Sequence, residues 1–194
     1  MAEALRIVAS KELDIEFTEL VTGYRLRQNE EGAFVDLYLY DALSSGAGYA
    51  VSIESEIYTL LKKVESYLES CDCASACHNC LKHYRNQYVH GMLDRFAALQ
   101  LLHWGINNTM EPPLLPKEQF ALMAPLKGIL AESGCKISFQ PSGIMAQYGN
   151  TVKSLEVYPA MWTRPYGKVG TVFISDMLIK YAKPYAVAEI IGNF

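Results

Sequence analysis

The stretch CDCASACHNC, residues 71–80, holds four of the five cysteines of this 194-residue chain. Its spacing, C-x-C-x3-C-x2-C, puts Cys71, Cys73, Cys77 and Cys80 on one short loop. Thiolates are soft ligands, and a tetrahedral Zn²⁺ takes four groups at about 2.3 Å, which a loop with two short chelating arms supplies. Asp72, Ser75 and Asn79 suit such a loop. Disulfides are disfavoured, because Cys71 and Cys73 stand too close to bridge and no secretion signal opens the chain. A thioredoxin-like redox pair uses Cys77 and Cys80 alone and leaves two thiols unexplained. Four thiolates also suit an iron–sulfur cluster, and His78 is an alternative ligand in place of one cysteine. Four protein thiolates leave no open coordination position, so the expected group is one structural Zn²⁺ with no catalytic role.

On the N-terminal side of the loop, AVSIESEIYTLLKKVESYLE (50–69) reads as one amphipathic helix. Its Ile53, Ile57, Leu60, Leu61, Val64 and Leu68 recur at helical spacing. On the C-terminal side, Leu81, Tyr84, Tyr88, Met92, Phe96 and Leu99 repeat at i, i+3 and i+4, which predicts a second long helix to about Trp104 with these residues in a core. The cysteine loop then forms the elbow between two helices. His90 and Asp94, four apart, would meet on one face of the second helix.

Further upstream, residues 24–43 read as a β-hairpin turning at Asn29–Gly32, with a strand from Phe34 to Tyr40. Gly46-Ala47-Gly48 at the following strand-to-helix turn reads first as a tight structural turn, with an anion cradle as the lesser reading, Gly46 and Gly48 freeing backbone N–H groups. It lacks the full G-x-G-x-x-G and G-x4-G-K-[ST] patterns, and the chain carries no other nucleotide-binding motif. Residues 2–12 read as a helix with Ala4, Leu5, Ile7 and Val8 on its apolar face. It starts without a capping residue, as expected of a piece of a longer protein or of a subunit that docks onto a partner.

Asn107-Asn108 and EPPLLP (111–116) break the chain and mark the expected boundary between domains 1–110 and 111–194. Beyond it, two short helices split at Pro125 precede strands near 135–139, 154–158 and 169–174. Ser175 or Asp176 then caps a last helix ending before Pro184. Cys135 opens an apolar strand and reads as a buried core thiol.

Composition places limits on function. Hydrophobic residues make up 51% and charged residues 20%, ordinary for a globular protein, and no stretch is long and apolar enough to span a membrane. Residues 1–110 carry nine Lys and Arg against fifteen Asp and Glu, net −6, and residues 111–194 eight against six, net +2. Neither part shows the broad basic footprint of a nucleic-acid-binding domain, so DNA contact requires a local patch or a partner. With no leader and clustered free thiols, the cytoplasm is the expected location.

The run CDCASACHNCLKHYRNQYVHGMLDRFAALQLL resembles the signature of the helicase-associated MZB domain. That family's pattern of a last cysteine followed by Leu, Asn, Leu-Asp-Arg and Ala is met here by Cys80-Leu81, Asn86, Leu93-Asp94-Arg95 and Ala97 or Ala98. Upstream, LYLYDALSSGAGYA resembles the family's tyrosine–aspartate strand and G-G-A-G turn, with Ser45 in place of the first glycine. The resemblance covers about residues 1–105. It implies that Cys71, Cys73, Cys77 and Cys80 are zinc ligands and that Asn86, Asp94 and Arg95 are structural or interface residues.

The family sits at the C-terminus of large superfamily 2 DEAD/DEAH-type helicases, such as MrfA-like DNA repair enzymes, and in anti-phage defence proteins of DISARM and Druantia systems. The sequence therefore predicts an α+β protein: a zinc-stapled helical domain with a β-hairpin, followed by a small α/β extension. The resemblance implies a non-catalytic accessory to a helicase in cis or in trans, positioning DNA or a partner. The alternative is a protein–protein adaptor without direct DNA contact. A hydrolase built on His90, Asp94 and Asp176 is a third reading, for which the sequence offers no recognisable metal constellation.

Overall fold

Helix α1 (Ala2–Glu12) buries Ala4, Val8 and Ala9 together with the aliphatic stem of Arg6, a face rotated slightly from the expected one. Arg6 reaches across to the 3-10 turn at Phe17–Glu19, where its guanidinium donates to the Phe17 carbonyl at 3.2 Å and stacks on the Phe17 ring. Strands β1 (Leu20–Asn29) and β2 (Gly32–Asp41) pair antiparallel from Leu20↔Asp41 out to Asn29↔Gly32. This computed structural model describes residues 1–30 and 32–194, so Glu31, within the expected Asn29–Gly32 turn, lies outside the described residues.

The expected helix over 50–69 is two helices, α2 (Tyr49–Glu54) and α3 (Ile57–Glu69), broken where Glu56 leaves helical geometry at φ −110° and ψ 14°. Leu60, Val64 and Leu68 of α3 fill the core against α1, as their spacing requires.

A larger correction concerns residues 81–104. No continuous helix follows the cysteine loop: Tyr84–Met92 is a kinked 3-10 segment, and helix α4 begins only at Arg95 and runs to Asn107. The cause is Asn86, a buried side chain whose amide donates to the Leu81 carbonyl at 2.8 Å and accepts from the His83 N–H at 2.9 Å. Those bonds occupy backbone groups that a helix would pair with itself. Asp94 then caps α4, accepting from Phe96 and Ala97 N–H groups at 2.8 and 3.1 Å. As a result Tyr84, Tyr88 and Met92 are not core residues: they are 83%, 84% and 74% exposed. His90 and Asp94 share no helix face.

The chain folds as two compact units, Met1–Thr109 and Met110–Phe194. In the second, α5 (Pro116–Met123), a 3-10 turn through Pro125 and α6 (Lys127–Glu132) lead to a four-stranded sheet. Its strands are β3 (Cys135–Gln140), β4 (Gly143–Tyr148), β5 (Thr151–Tyr158) and β6 (Thr171–Ser175), in the order β3-β4-β5-β6. The first two pairings are antiparallel and the last is parallel. Strand β4, not expected from the sequence, hides its alternation (Ile144 and Ala146 inward) in a run of mixed residues. Helix α7 (Asp176–Tyr181), capped by Ser175, is followed by α8 (Lys183–Gly192), a second element absent from the expectation. Pro184 does not end the helical region; it sits in the first turn of α8, where its missing N–H costs nothing. The fold is mixed α and β. Among the described residues no helix is long and apolar enough to cross a membrane.

Candidate metal centre

The cysteine loop starts where α3 ends, and residues 71–83 form no helix or strand, so turn hydrogen bonds such as Lys82 N–H to the Cys77 carbonyl at 2.9 Å and side-chain bonds hold them. One sulfur from each of Cys71, Cys73, Cys77 and Cys80 converges, all four within 4.8 Å of one another. Cys71 and Cys77 sulfurs are 3.6 Å apart, Cys73 and Cys80 3.7 Å, and Cys77 and Cys80 3.7 Å. Four ligands at about 2.3 Å around a tetrahedral Zn²⁺ stand ~3.8 Å apart, so this donor set fits the ion. A disulfide needs about 2.05 Å, and all five cysteines are free thiols. The site accordingly suits one structural zinc.

Backbone groups prepare one of the sulfurs, that of Cys77, for a cation. The N–H of Asn79 lies on the Cys77 thiol and draws it down to about 7, within reach of the thiolate at neutral pH. Cys77 N–H points at the Cys80 sulfur at 3.2 Å. Cys80 is the buried member, and burial pushes its thiol up to about 12 where no cation offsets the lost hydration. The ring of His78, the alternative ligand, meets His90 edge-on at 5.5 Å and stands outside the sulfur cluster.

A shell of bonds ties the loop to the helices. Arg95, buried at the start of α4, donates from Nε to the Cys73 carbonyl at 2.9 Å and from Nη1 to the Leu68 carbonyl at 3.1 Å. One guanidinium thus holds both the loop and one of the last, otherwise unpaired carbonyls of α3. The Arg95 N–H also donates to the Ser75 carbonyl, and the Ser75 hydroxyl donates to the Leu93 carbonyl at 2.8 Å. Tyr67 on α3 donates its hydroxyl to the Cys80 carbonyl at 2.8 Å. Downstream, His83 contacts Glu3 of α1 at 2.8 Å, and His90 contacts the Asn86 side-chain oxygen at 2.9 Å. Of the residues singled out in the sequence, Asn86 therefore folds the segment after the loop, Asp94 caps α4 and Arg95 clamps the loop. Ser75 and Tyr67 were not anticipated in these roles, since nothing local marks a hydroxyl that bonds a distant carbonyl.

The Gly46–Gly48 turn holds an anion of its own. The Asp41 carboxylate accepts from the N–H groups of Gly48 at 2.7 Å and Ala50 at 2.9 Å. The Ala50 bond, with those from Gly48, Ala47 and Tyr49, keeps Asp41 below the usual carboxylate range. Gly46 and Gly48 adopt φ of 67° and 83°, which explains why glycine occupies both places. In the second unit Asp176 is buried, accepting from Ala160 N–H at 2.8 Å and pairing with Lys180 at 2.9 Å. Cys135 is a core residue whose thiol burial pushes up.

One known family and several proteins resemble the chain. A family model described as MZB, the MrfA Zn-binding domain, matches residues 1–81, a span that includes all four clustered cysteines. The chain is 31% identical over 172 residues, 85% of its length, to the Druantia protein DruE of Escherichia coli. That similarity extends into both units, yet it covers only 9% of DruE. An uncharacterized protein of Methanocaldococcus jannaschii is 26% identical over 85 residues, 42% of this chain and 76% of that one. The crystal structure of the DUF1998 helicase MrfA bound to DNA aligns with 52% of this chain and 13% of its own, at 17% identity and a TM-score of 0.41. The match of the family model and the convergence of four sulfurs fall on the same residues: residues 1–81 are similar to the MrfA Zn-binding domain, and the four cysteines among them form a donor set suited to zinc.

Proposed function

We propose that this chain is a non-catalytic accessory module of a superfamily 2 helicase, in cis or in trans, that positions DNA or a partner during repair or anti-phage defence. The observation that carries the reading is the four-thiol centre inside the span matched by the MrfA Zn-binding domain, in a chain similar to a Druantia protein. In this reading Cys71, Cys73, Cys77 and Cys80 hold one Zn²⁺, which supplies a cross-link and offers no position to water or substrate. Arg95, Ser75 and Tyr67 transmit that fixed loop to α3 and α4. A surface of the unit that the loop holds in place does the work, and any nucleotide hydrolysis belongs to another domain or chain.

The test has two readouts on the purified chain: elemental analysis, expected to give one zinc per chain, and unwinding by a cognate helicase with and without it. A zinc-free folded chain, or a motor indifferent to the module, overturns the reading. One observation favours the adaptor alternative. The face of the hairpin bearing Tyr24, Leu26, Val35 and Leu37 is apolar and exposed, Tyr24 and Leu26 at 70% and 73%. Co-purification with a large ATPase, with no DNA binding by the chain, decides for that alternative.

A further inference from the structure

The β1–β2 hairpin has two chemically distinct faces. Antiparallel partners share a face, so Arg25 with Asp36, Arg27 with Phe34, and Tyr38 and Tyr40 line the side opposite Tyr24 and Leu26. Phe34, Tyr38 and Tyr40 are 38%, 44% and 50% exposed. Asp36, the one acid on this face, is bonded to Arg27 and accepts from the Tyr38 hydroxyl at 3.3 Å. A single carboxylate does not neutralise two guanidiniums, so the face stays positive within a unit whose net charge is negative.

Exposed flat rings beside arginines, on a ribbon too narrow to bury them, have the chemistry of a stacking platform. Tyr38 and Tyr40 stand two residues apart, about 6.6 Å along the strand, which leaves room for a base on each ring. Stacking on a π-face needs bases that are already unpaired, and the arginines meet the phosphates that connect them. We propose that the Arg–Tyr face of the hairpin binds single-stranded nucleic acid, through Tyr38 and Tyr40 stacked on bases and Arg25 on phosphate. The proposal deepens the accessory-module reading and rests on it for its setting. A protein partner is the competing occupant, and the experiment separates the two.

The experiment is fluorescence anisotropy of the full, zinc-loaded chain with labelled oligothymidylate, oligouridylate and a duplex of equal length, at low and physiological salt. Single strands are expected to bind more tightly than the duplex, and the two oligomers distinguish DNA from RNA. Tyr38→Ala and Tyr40→Ala each weaken binding about tenfold, while Tyr38→Phe and Tyr40→Phe preserve it because the ring does the stacking. Arg25→Gln weakens binding on all sequences and lowers the salt slope by about one. Leu26→Ser, on the opposite face, leaves binding unchanged. Unchanged zinc content and circular dichroism qualify each variant. Should one fail that control, photo-cross-linking of the unaltered chain to 5-iodouracil oligonucleotides replaces it, with adducts expected at Tyr38 or Tyr40.

No single-strand binding at low salt overturns the proposal, as do unaltered affinity in the alanine variants, adducts elsewhere, or loss confined to Leu26→Ser. Binding without helicase stimulation removes the accessory reading alone. Stimulation without binding removes this proposal alone.

Discussion

Among the described residues, the C-terminal unit buries fifteen hydrophobic side chains in one cluster within 85 residues. The N-terminal unit buries thirteen within 109, three of them alanines. The first of these clusters lies between a four-stranded sheet and its helices, and eleven of its fifteen residues are Leu, Ile or Val. The second must also support a hairpin that is largely exposed and thirteen residues, 71–83, in no regular element. A loop of that length has too few backbone bonds of its own to stay in one conformation. Four converging thiols and the side-chain bonds around them take the place of apolar burial. One unit is held by its own core, the other by a core together with a metal.

Removing the metal should break this comparison most visibly. With zinc-finger peptides as a guide, about 10–16 kcal/mol of apparent folding free energy rides on the ion. Chelation or Cys77→Ser should therefore abolish one calorimetric transition and leave a second, belonging to residues 110–194. A chain that keeps both transitions without zinc would show that the N-terminal core suffices.

The converse substitution is Leu155→Ala, at a fully buried position of β5. It should destabilise the C-terminal unit by about 2–5 kcal/mol. Denaturant melts should show that loss in one transition only, with zinc content unchanged.

A smaller effect should sharpen the account of the loop. Arg95→Ala leaves the Leu68 and Cys73 carbonyls without their donor, and hydrogen bonds to a charged group are worth about 1.5–3 kcal/mol. Stability should fall by that order. Outer-shell contacts of this kind tune metal sites by about 10–100-fold, so zinc affinity measured by competition with a chromophoric chelator should weaken too. Arg95→Lys should recover part of this at most, because an ammonium lacks the planar fork that spans both carbonyls. Unchanged affinity in Arg95→Ala would confine the role of Arg95 to helix packing.

What was legible beforehand follows the reach of each interaction. Cysteine spacing is a local property, and the fit of the four sulfurs to a tetrahedral ion follows from a ten-residue stretch. The hairpin, α1 and α3 also declare themselves through short-range periodicity. Residues 81–94 misled for the same reason: Leu81, Tyr84, Tyr88 and Met92 keep a helical rhythm. The outcome there turned on Asn86 folding back on Leu81 and His83, and on Glu3, eighty residues away, contacting His83. At the Gly46–Gly48 turn the glycines mark the turn, while the acceptor of its N–H groups, Asp41 of the preceding strand, is set by the fold. Strand β4 and helix α8 were hidden by mixed composition and by Pro184, whose effect depends on whether it stands inside a helix or at its first turn.

Local pattern was thus enough for the donor set, helix α3 on its N-terminal side and the MZB resemblance, because each rests on neighbours in the chain. Three outcomes waited on the folded arrangement: Arg95 clamps the cysteine loop, Tyr84 and Tyr88 face solvent, and Tyr38 and Tyr40 line up beside arginines. They depend on which distant backbone groups find partners and on which face of a ribbon the core claims, and no spacing within a single segment encodes either.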